Sequence, residues 1–485
     1  MQSIAHLALS FRLSRFLCAV LPTLVVATAL QAQDPELAPD SLAASSRSSV
    51  GAVRGETVAR RFARLGNAAA DLQRVYGDGE WAMLWSRDGA ATASARATIE
   101  ALYRIDERGL DPADYDVDRL RKLADLKLRS DSERSEFDAT LTVAALRALR
   151  ALHGGRVVAT DSGSLRPLVA TSATDYSGEL RAMASSKTPA AVLDAAEPVS
   201  EQYRMLKATV SIWRLLARTD TVARRNLSRI LLTLERERML RQQDGGPSIV
   251  VNIPEFRLRA QVDGGEADAD AVTMDVVVGG AARYRTPVMS DTIEYIVFAP
   301  YWEVPASIVR SELLPIAMRD PYLLTTNHYQ IVDRRGRPLP ATAASVKQVK
   351  AGRARIRQLP GGTNSLGRVK FMFPNADDVY LHDTPLSSDF ARTRRDRSHG
   401  CVRVADPAAL ARLLLRDQPE WTAEAIESAM NGSTPVTVKL TRPVPVHLTY
   451  ATAVARDDGT VAFFDDIYGL DAALARQLAM AYLYR

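Results

Sequence analysis

Cysteine is almost missing from this chain: two occur in 485 residues, Cys18 and Cys401. That excludes a disulfide-built fold and a zinc site made of several thiolates. Histidine is scarce too, with six residues and no HExxH spacing, so the common zinc-hydrolase helix is ruled out. No repeat of fixed period recurs, which excludes a solenoid. Charge of one sign is not concentrated either. The net charge of +5 is spread along the chain and leaves no nucleic-acid footprint. Beyond the N-terminal stretch no apolar run approaches the length of a membrane span. What remains, 47% hydrophobic and 25% charged residues, is ordinary for folded domains, and 485 residues exceed one core. Two or three domains are expected.

The N-terminus is a different material. Arg12 and Arg15 precede an apolar run from Phe16 to Leu30, and Ala29 and Ala32 stand where a cleavage site needs small residues. Residues 1–32 fit a secretory signal peptide, or a membrane anchor if uncleaved, and either places the rest of the chain outside the cytoplasm. Once Arg12 and Arg15 leave with this segment, the net charge falls to +3, that of an ordinary solvated surface. Cys18 leaves with it. The exported chain then holds one thiol, Cys401, in an oxidising compartment, where a lone thiol is either buried and inert or does chemistry.

Residues 33–52 are rich in Pro, Ser and Ala and predict a flexible linker. Residues 53–243 space their apolar side chains by three and four, as in TASARATIEALYRI and FDATLTVAALRALRALHG, the latter ending at a Gly154–Gly155 C-cap. A helical scaffold domain is expected, with Trp81, Trp85 and Trp213 as core anchors. The texture changes at Gly245–Gly246–Pro247. Residues 244–485 are strand-like. SIVVNIPEFRLRAQV runs to a turn at Asp263–Gly264–Gly265 and VTMDVVVGG returns as a hairpin. IEYIVFAP, RVKFMF, VYLHD and PVTVKL follow, and a last pair flanks Asp457–Asp458–Gly459. Residues 306–356 interrupt these strands with a helical, proline-punctuated insertion. The fold class is α+β, a helical half followed by a β-rich half.

Chemistry concentrates in one stretch. Tyr380-Leu-His382-Asp383 leads through an arginine-rich loop (Arg392, Arg394, Arg395, Arg397) to Ser398-His399-Gly400-Cys401-Val402-Arg403. A thiol with a pKa near 8.5 is mostly protonated at neutral pH, and an imidazole beside it can take the proton and later return it to a leaving amine. Period two on VYLHD puts Tyr380 and His382 on one face, to which the loop can return Cys401. Gly400 lets backbone approach closely, so amides near Cys401 suit an oxyanion hole. Arg403, two positions on, can hold a carboxylate. A metal site from His382, Asp383, His399 and Cys401 lacks a second cysteine, and none is expected. The arginines are either a solvated face or an anion site.

At these residues the chain resembles the L,D-transpeptidase catalytic domain family, the YkuD family, whose hallmark is an upstream histidine followed by SHGC and an arginine two residues later. VVNIPEFRL, RTPV, PYWEVP, LPGGTNSLGRVKFMFPN and YLHDTP are similar to the large periplasmic murein L,D-transpeptidases of the YcbB type, and RGLDPADYD is similar to that group's scaffold domain. The resemblance implies a peptidoglycan transpeptidase with Cys401 as nucleophile, His382 as main acid/base and His399 beside them as a catalytic or loop-supporting group. Gly400, Ser398, Arg403 and Tyr380 would form the oxyanion hole and substrate contacts. It implies tetrapeptide stems as donors, with D-alanine released and an amine acceptor, no cofactor, acylation by carbapenems, a periplasmic location and a monomer. It makes 306–356 a cap over the cleft. Hydrolysis of the same stems, as carboxypeptidase or endopeptidase, and a degenerate wall-binding scaffold are the alternatives. The peptidoglycan-binding domain common in relatives of this size has no room here, because one helix near 199–218 runs almost directly into the next.

Overall fold

The computed structural model describes residues 72, 74–76, 83–159, 165–167, 174–240, 247–261 and 271–481. The signal peptide or anchor, the linker, Trp81 and the turns expected at Gly245–Gly246 and Asp263–Gly264–Gly265 lie outside the described residues.

The first half is helical because its apolar periodicity meets good helix caps. α1 (Ala93–Tyr103) starts at Thr92, whose hydroxyl accepts the Ala95 N–H at 3.1 Å. α2 spans Val117–Ala124. α3 (Asp131–Gly154) opens on a reciprocal Ser130–Glu133 capping box and stops at Gly155, which takes φ 76°. These helices and α4 (Ser177–Ser185) enclose Trp85, Leu102, Phe137, Leu141 and Leu149, all fully buried. Trp85 donates its indole N–H to Thr142 at 2.9 Å, as an anchor with a satisfied polar end does.

α5 (Glu201–Leu216) and α6 (Thr221–Leu240) form an antiparallel hairpin and join the two halves. Ile230 and Leu234 of α6 pack with Ala453 and Ala455. Trp213 meets Phe463 edge-on at 5.2 Å, so it anchors a joint rather than the first core. Polar contacts register that joint: Gln202 bonds the Ala455 backbone in both directions, and Arg236 pairs with Asp471 at 2.6 Å.

The second half is a sheet of strands β1 (Ser248–Asn252), β2 (Arg257–Gln261), β3 (Val272–Gly279), β4 (Met289–Phe298), β9 (Val369–Met372), β10 (Leu381–His382), β11 (Asp396–Ser398), β12 (Val402–Val404) and β13 (Val436–Thr449). Their order is β11-β3-β12-β10-β9-β4-β13-β1-β2, and β2 also pairs with β3. That last pairing closes the ladder on itself and leaves few open edges. Helix α8 (Pro407–Leu414), capped by Asp406, and α9 (Ala423–Met430) add to the same core.

Two strand readings change. The run 248–261 is a hairpin, β1 and β2, turned at Ile253–Phe256 with Phe256 at φ 57°. Pro254, which lacks an N–H for the ladder, was the overlooked stop signal. PVTVKL and the following VPVHLT are one strand, β13, whose register shifts between Lys439 and Val444. The irregularity absorbs Pro443 without ending the strand.

Between β4 and β9 the chain builds a separate small core of Ile308, Leu314, Leu324, Ile331, Val346 and Ile356. Its helices include α7 (Ala343–Lys350) and short turns at Ala306–Ala317 and Tyr322–Thr326. It also carries an antiparallel sheet that periodicity did not single out. This comprises β5 (Trp302–Glu303), β6 (Tyr329–Asp333), β7 (Pro338–Leu339) and β8 (Ala354–Gln358), in order β7-β6-β8-β5. Strands of two to five residues leave too short a period to read. β5 pairs with β8, so the insertion enters and leaves the main sheet side by side. Among the described residues no helix is long and apolar enough to cross a membrane.

Candidate functional site

Strand alternation decides what faces the site. Phe371, Leu381 and Val402, on adjacent strands β9, β10 and β12, are fully buried in the core, each worth about 1.5–3 kcal/mol of burial. Their chain neighbours must face the other way. Lys370 stands opposite His382, and His382 opposite Arg403, in one row across three strands. Tyr380 lies one step along, its carbonyl accepting the Val402 N–H at 3.1 Å, with Cys401 beside it. The Tyr380 and His382 rings sit 5.8 Å apart, edge to face.

His382 is buried, and its Nδ1 lies 2.5 Å from the Asp383 carbonyl oxygen. A carbonyl only accepts, so in the neutral ring Nδ1 carries the proton and Nε2 keeps its lone pair. Burial first, then the charges of Arg403 and Lys370, push the imidazole pKa down to about 3. The ring is a neutral base at pH 7. Asp383 fixes that carbonyl. Its carboxylate accepts N–H groups from Arg368 at 2.8 Å and Thr384 at 2.7 Å. Gly367 lets the 366–368 loop close on it: φ is 61°, and a Cβ would meet the Asp383 side chain at 2.4 Å.

Cys401 is a free, half-buried thiol whose S–H donates to the Asp378 carbonyl at 3.7 Å. Burial pushes its pKa up to about 11, against hydrogen bonds from Tyr380 and the charge of Lys370. No hydrogen bond joins Sγ to His382 in this conformation. Thiol and imidazole are therefore both neutral at rest.

The loop carrying the thiol is held from below. Ser398 is buried; its hydroxyl accepts the Gly400 N–H at 3.1 Å and donates to the Cys401 carbonyl. Thr286 donates to the Gly400 carbonyl at 2.8 Å and accepts the Gly279 N–H at 2.8 Å. Tyr468 donates to the Gly279 carbonyl at 2.6 Å and accepts the Thr286 N–H at 3.2 Å. Gly400 itself sits at φ 119°. In this arrangement the Gly400 N–H and the Ser398 hydroxyl both bond inside the loop. The Cys401 N–H has no acceptor among the described residues.

His399 is not brought to the thiol. Its Nε2 lies 3.1 Å from Glu312 of the insertion and its ring 4.5 Å from Tyr284. With Asp383 turned to Arg368 and His399 to Glu312, the four groups considered as metal ligands point to different partners. Arg403 gives Nη1 to Asp389 at 3.1 Å, while its Nε is buried without a hydrogen-bond partner. The arginine cluster is paired: Arg392 and Arg397 to Asp389, Arg394 to Asp396, Arg395 to Asp275. Sequence reasoning missed Lys370, Thr286, Tyr468 and Asp389. For Lys370 the signal was available, since it alternates with the core residues Val369 and Phe371. The partners Thr286 and Tyr468 are too distant in sequence to be found without the fold.

A helical half joined to a β-rich half, with a lone thiol and a buried imidazole on one sheet face, defines a two-part protein of the cysteine-site class. The model of the L,D-transpeptidase catalytic domain, YkuD, matches residues 246–438, and that of the Scaffold domain matches residues 70–209. The chain thus carries a YkuD L,D-transpeptidase catalytic domain behind a Scaffold domain, an architecture consistent with the YcbB type. A protein of Haemophilus influenzae named "Putative L,D-transpeptidase" is 32% identical over 251 residues, which is 52% of this chain and 49% of that protein. The chain thus aligns with about half the length of that curated relative. Residues 210–245, between the two matched segments, are taken up by the end of α5, by α6 and by the short stretch after it.

Proposed function

We propose that the protein is a peptidoglycan L,D-transpeptidase acting through a Cys401 acyl-enzyme in the periplasm. One observation carries the reading: a free, half-buried thiol adjoins Arg403, the register partner of a buried imidazole whose Nδ1 is tied to a carbonyl, leaving the Nε2 lone pair to take a proton.

Cys401 attacks the carbonyl between the third stem residue and the terminal D-alanine. His382 Nε2 takes the thiol proton as the carbon–sulfur bond forms, then delivers it to the departing D-alanine amine. An acceptor amine attacks the thioester, loses its proton to His382, and regenerates the thiol. Because both groups start neutral, proton transfer accompanies attack and no resting thiolate is needed. The Cys401 N–H supports an oxyanion, and carbapenems acylate the same sulfur. Ser398 and Gly400 shape the loop, Tyr380 hydrogen-bonds the thiol, and Arg403 faces the substrate. The insertion caps this face, with His399 and Glu312 as its contact to the loop.

Purified protein incubated with disaccharide tetrapeptide tests this by product analysis. Release of D-alanine with cross-linked dimers supports transfer. Tripeptide monomers without dimers replace transfer by hydrolysis, and an unchanged donor overturns the acyl-transfer reading.

A further inference from the structure

Among the described residues, Lys370 on the site face has no anionic partner. The Lys370 ammonium is half-buried and, among the described residues, makes no hydrogen bond or ion pair; its neighbour is the Tyr380 ring, 5.4 Å from centroid to Nζ. Burial lowers its pKa, opposed by Cys401 and Glu303, and Glu303 is itself paired with Arg355 at 3.5 Å. Removing an ammonium from water without a counter-ion is costly, so such a group persists where an anion arrives to meet it.

The geometry supplies a second cation for that anion. Register puts Lys370 and Arg403 on either side of His382. Strands lie ~4.8 Å apart, so the two backbones are about 10 Å apart and their long side chains can converge above the ring. Arg403 is only part-neutralised, because Asp389 is shared with Arg392 and Arg397 and the Arg403 Nε has no hydrogen bond.

We propose that Lys370 and the free Nε edge of Arg403 form a carboxylate-binding subsite that positions the donor peptide beside Cys401. The proposal rests on the acyl-transfer reading above and deepens it. The ligand is a peptide carboxylate, either that of the terminal residue or that on the side chain of the third residue. A bound carboxylate also offsets the Arg403 and Lys370 charges that add to burial in holding His382 neutral.

The test is steady-state kinetics of the full chain as wild type, Lys370→Met and Lys370→Arg. Three donors are compared: the free-acid disaccharide tetrapeptide, its C-terminal amide, and its third-residue side-chain amide. Iodoacetamide alkylation of Cys401 across pH and circular dichroism accompany each variant. Lys370→Met is expected to raise KM for the free acid about 10- to 100-fold, the loss of one charged hydrogen bond. The penalty disappears with whichever amide removes the carboxylate that Lys370 holds, and Lys370→Arg restores most of the affinity. An unchanged KM, an equal penalty on all three donors, or a fall in thiol reactivity that matches the fall in turnover overturns the subsite. A wild type that neither turns over nor is acylated by any donor overturns the acyl-transfer reading itself, which the wild-type arm reveals before any variant is compared.

Discussion

The two halves of the molecule bury charge in opposite ways. In the helical half, Arg238 and Glu235 are both fully buried and paired at 3.2 Å; Arg238 also reaches Tyr203 and the Arg108 carbonyl. Glu235 takes Arg156 as well, at 3.2 Å, and Arg156 reaches Asp114 at 3.3 Å. Burial alone would raise the Glu235 pKa, yet Arg156 and Arg238 more than offset it and the carboxyl lies below its ordinary range. On the sheet face the balance is broken. Lys370 and Arg403 flank a neutral imidazole near a neutral thiol. A saturated cluster fastens helices to one another. The pair on the sheet face is the one proposed to meet a carboxylate.

The comparison can be broken from either side. Cys401→Ala should remove turnover by at least about four orders of magnitude, read as D-alanine release, with circular dichroism unchanged. Retained activity would move the chemistry elsewhere. Arg238→Met should cost roughly 3–5 kcal/mol of stability, read by denaturant unfolding, because Glu235 and the Tyr203 hydroxyl lose their partner. Its kcat per folded molecule should stay at the wild-type value; a kcat loss would mean the cluster in the helical half is not merely structural. His382→Ala should lower turnover by about 10² or more in folded protein, and near-normal turnover would remove it as the base. The gentlest probe is pH. A thiol raised to about 11 should alkylate with iodoacetamide at a rate rising about tenfold per unit from pH 7 to 10. A plateau between pH 6 and 8 would instead reveal a preformed thiolate–imidazolium pair.

Where local rules suffice, the sequence was legible. The Ser130–Glu133 box and the Gly155 stop bound α3 as helix periodicity requires, and Asp406–Pro407 opens α8. The alternation of VYLHD placed Tyr380 and His382 on one face, while the pairing of His382 with Arg403 came only with the fold. What stayed hidden is non-local. The thiol loop leans on Thr286 and Tyr468, more than sixty residues away in either direction, whereas the return of VTMDVVVGG on β2 was read as a hairpin and is paired in that way. His399 stood open between a catalytic and a loop-supporting role. Adjacency to Cys401 in the chain says nothing about direction, and its side chain turns to Glu312, 87 positions upstream. Lys370 carried a readable signal, but an unpaired lysine is noticed only once the surrounding anions have been assigned to other partners.

The central claim is that the Cys401 sulfur becomes acylated by a stem peptide. Rapid acid quenching of the full-length protein with disaccharide tetrapeptide, followed by intact-mass analysis and peptide mapping, observes that state directly. The account predicts a mass gain equal to the donor minus D-alanine, confined to the peptide containing Cys401 and missing from Cys401→Ala. No adduct in a preparation that turns over donor, or an equal adduct on Cys401→Ala, contradicts it.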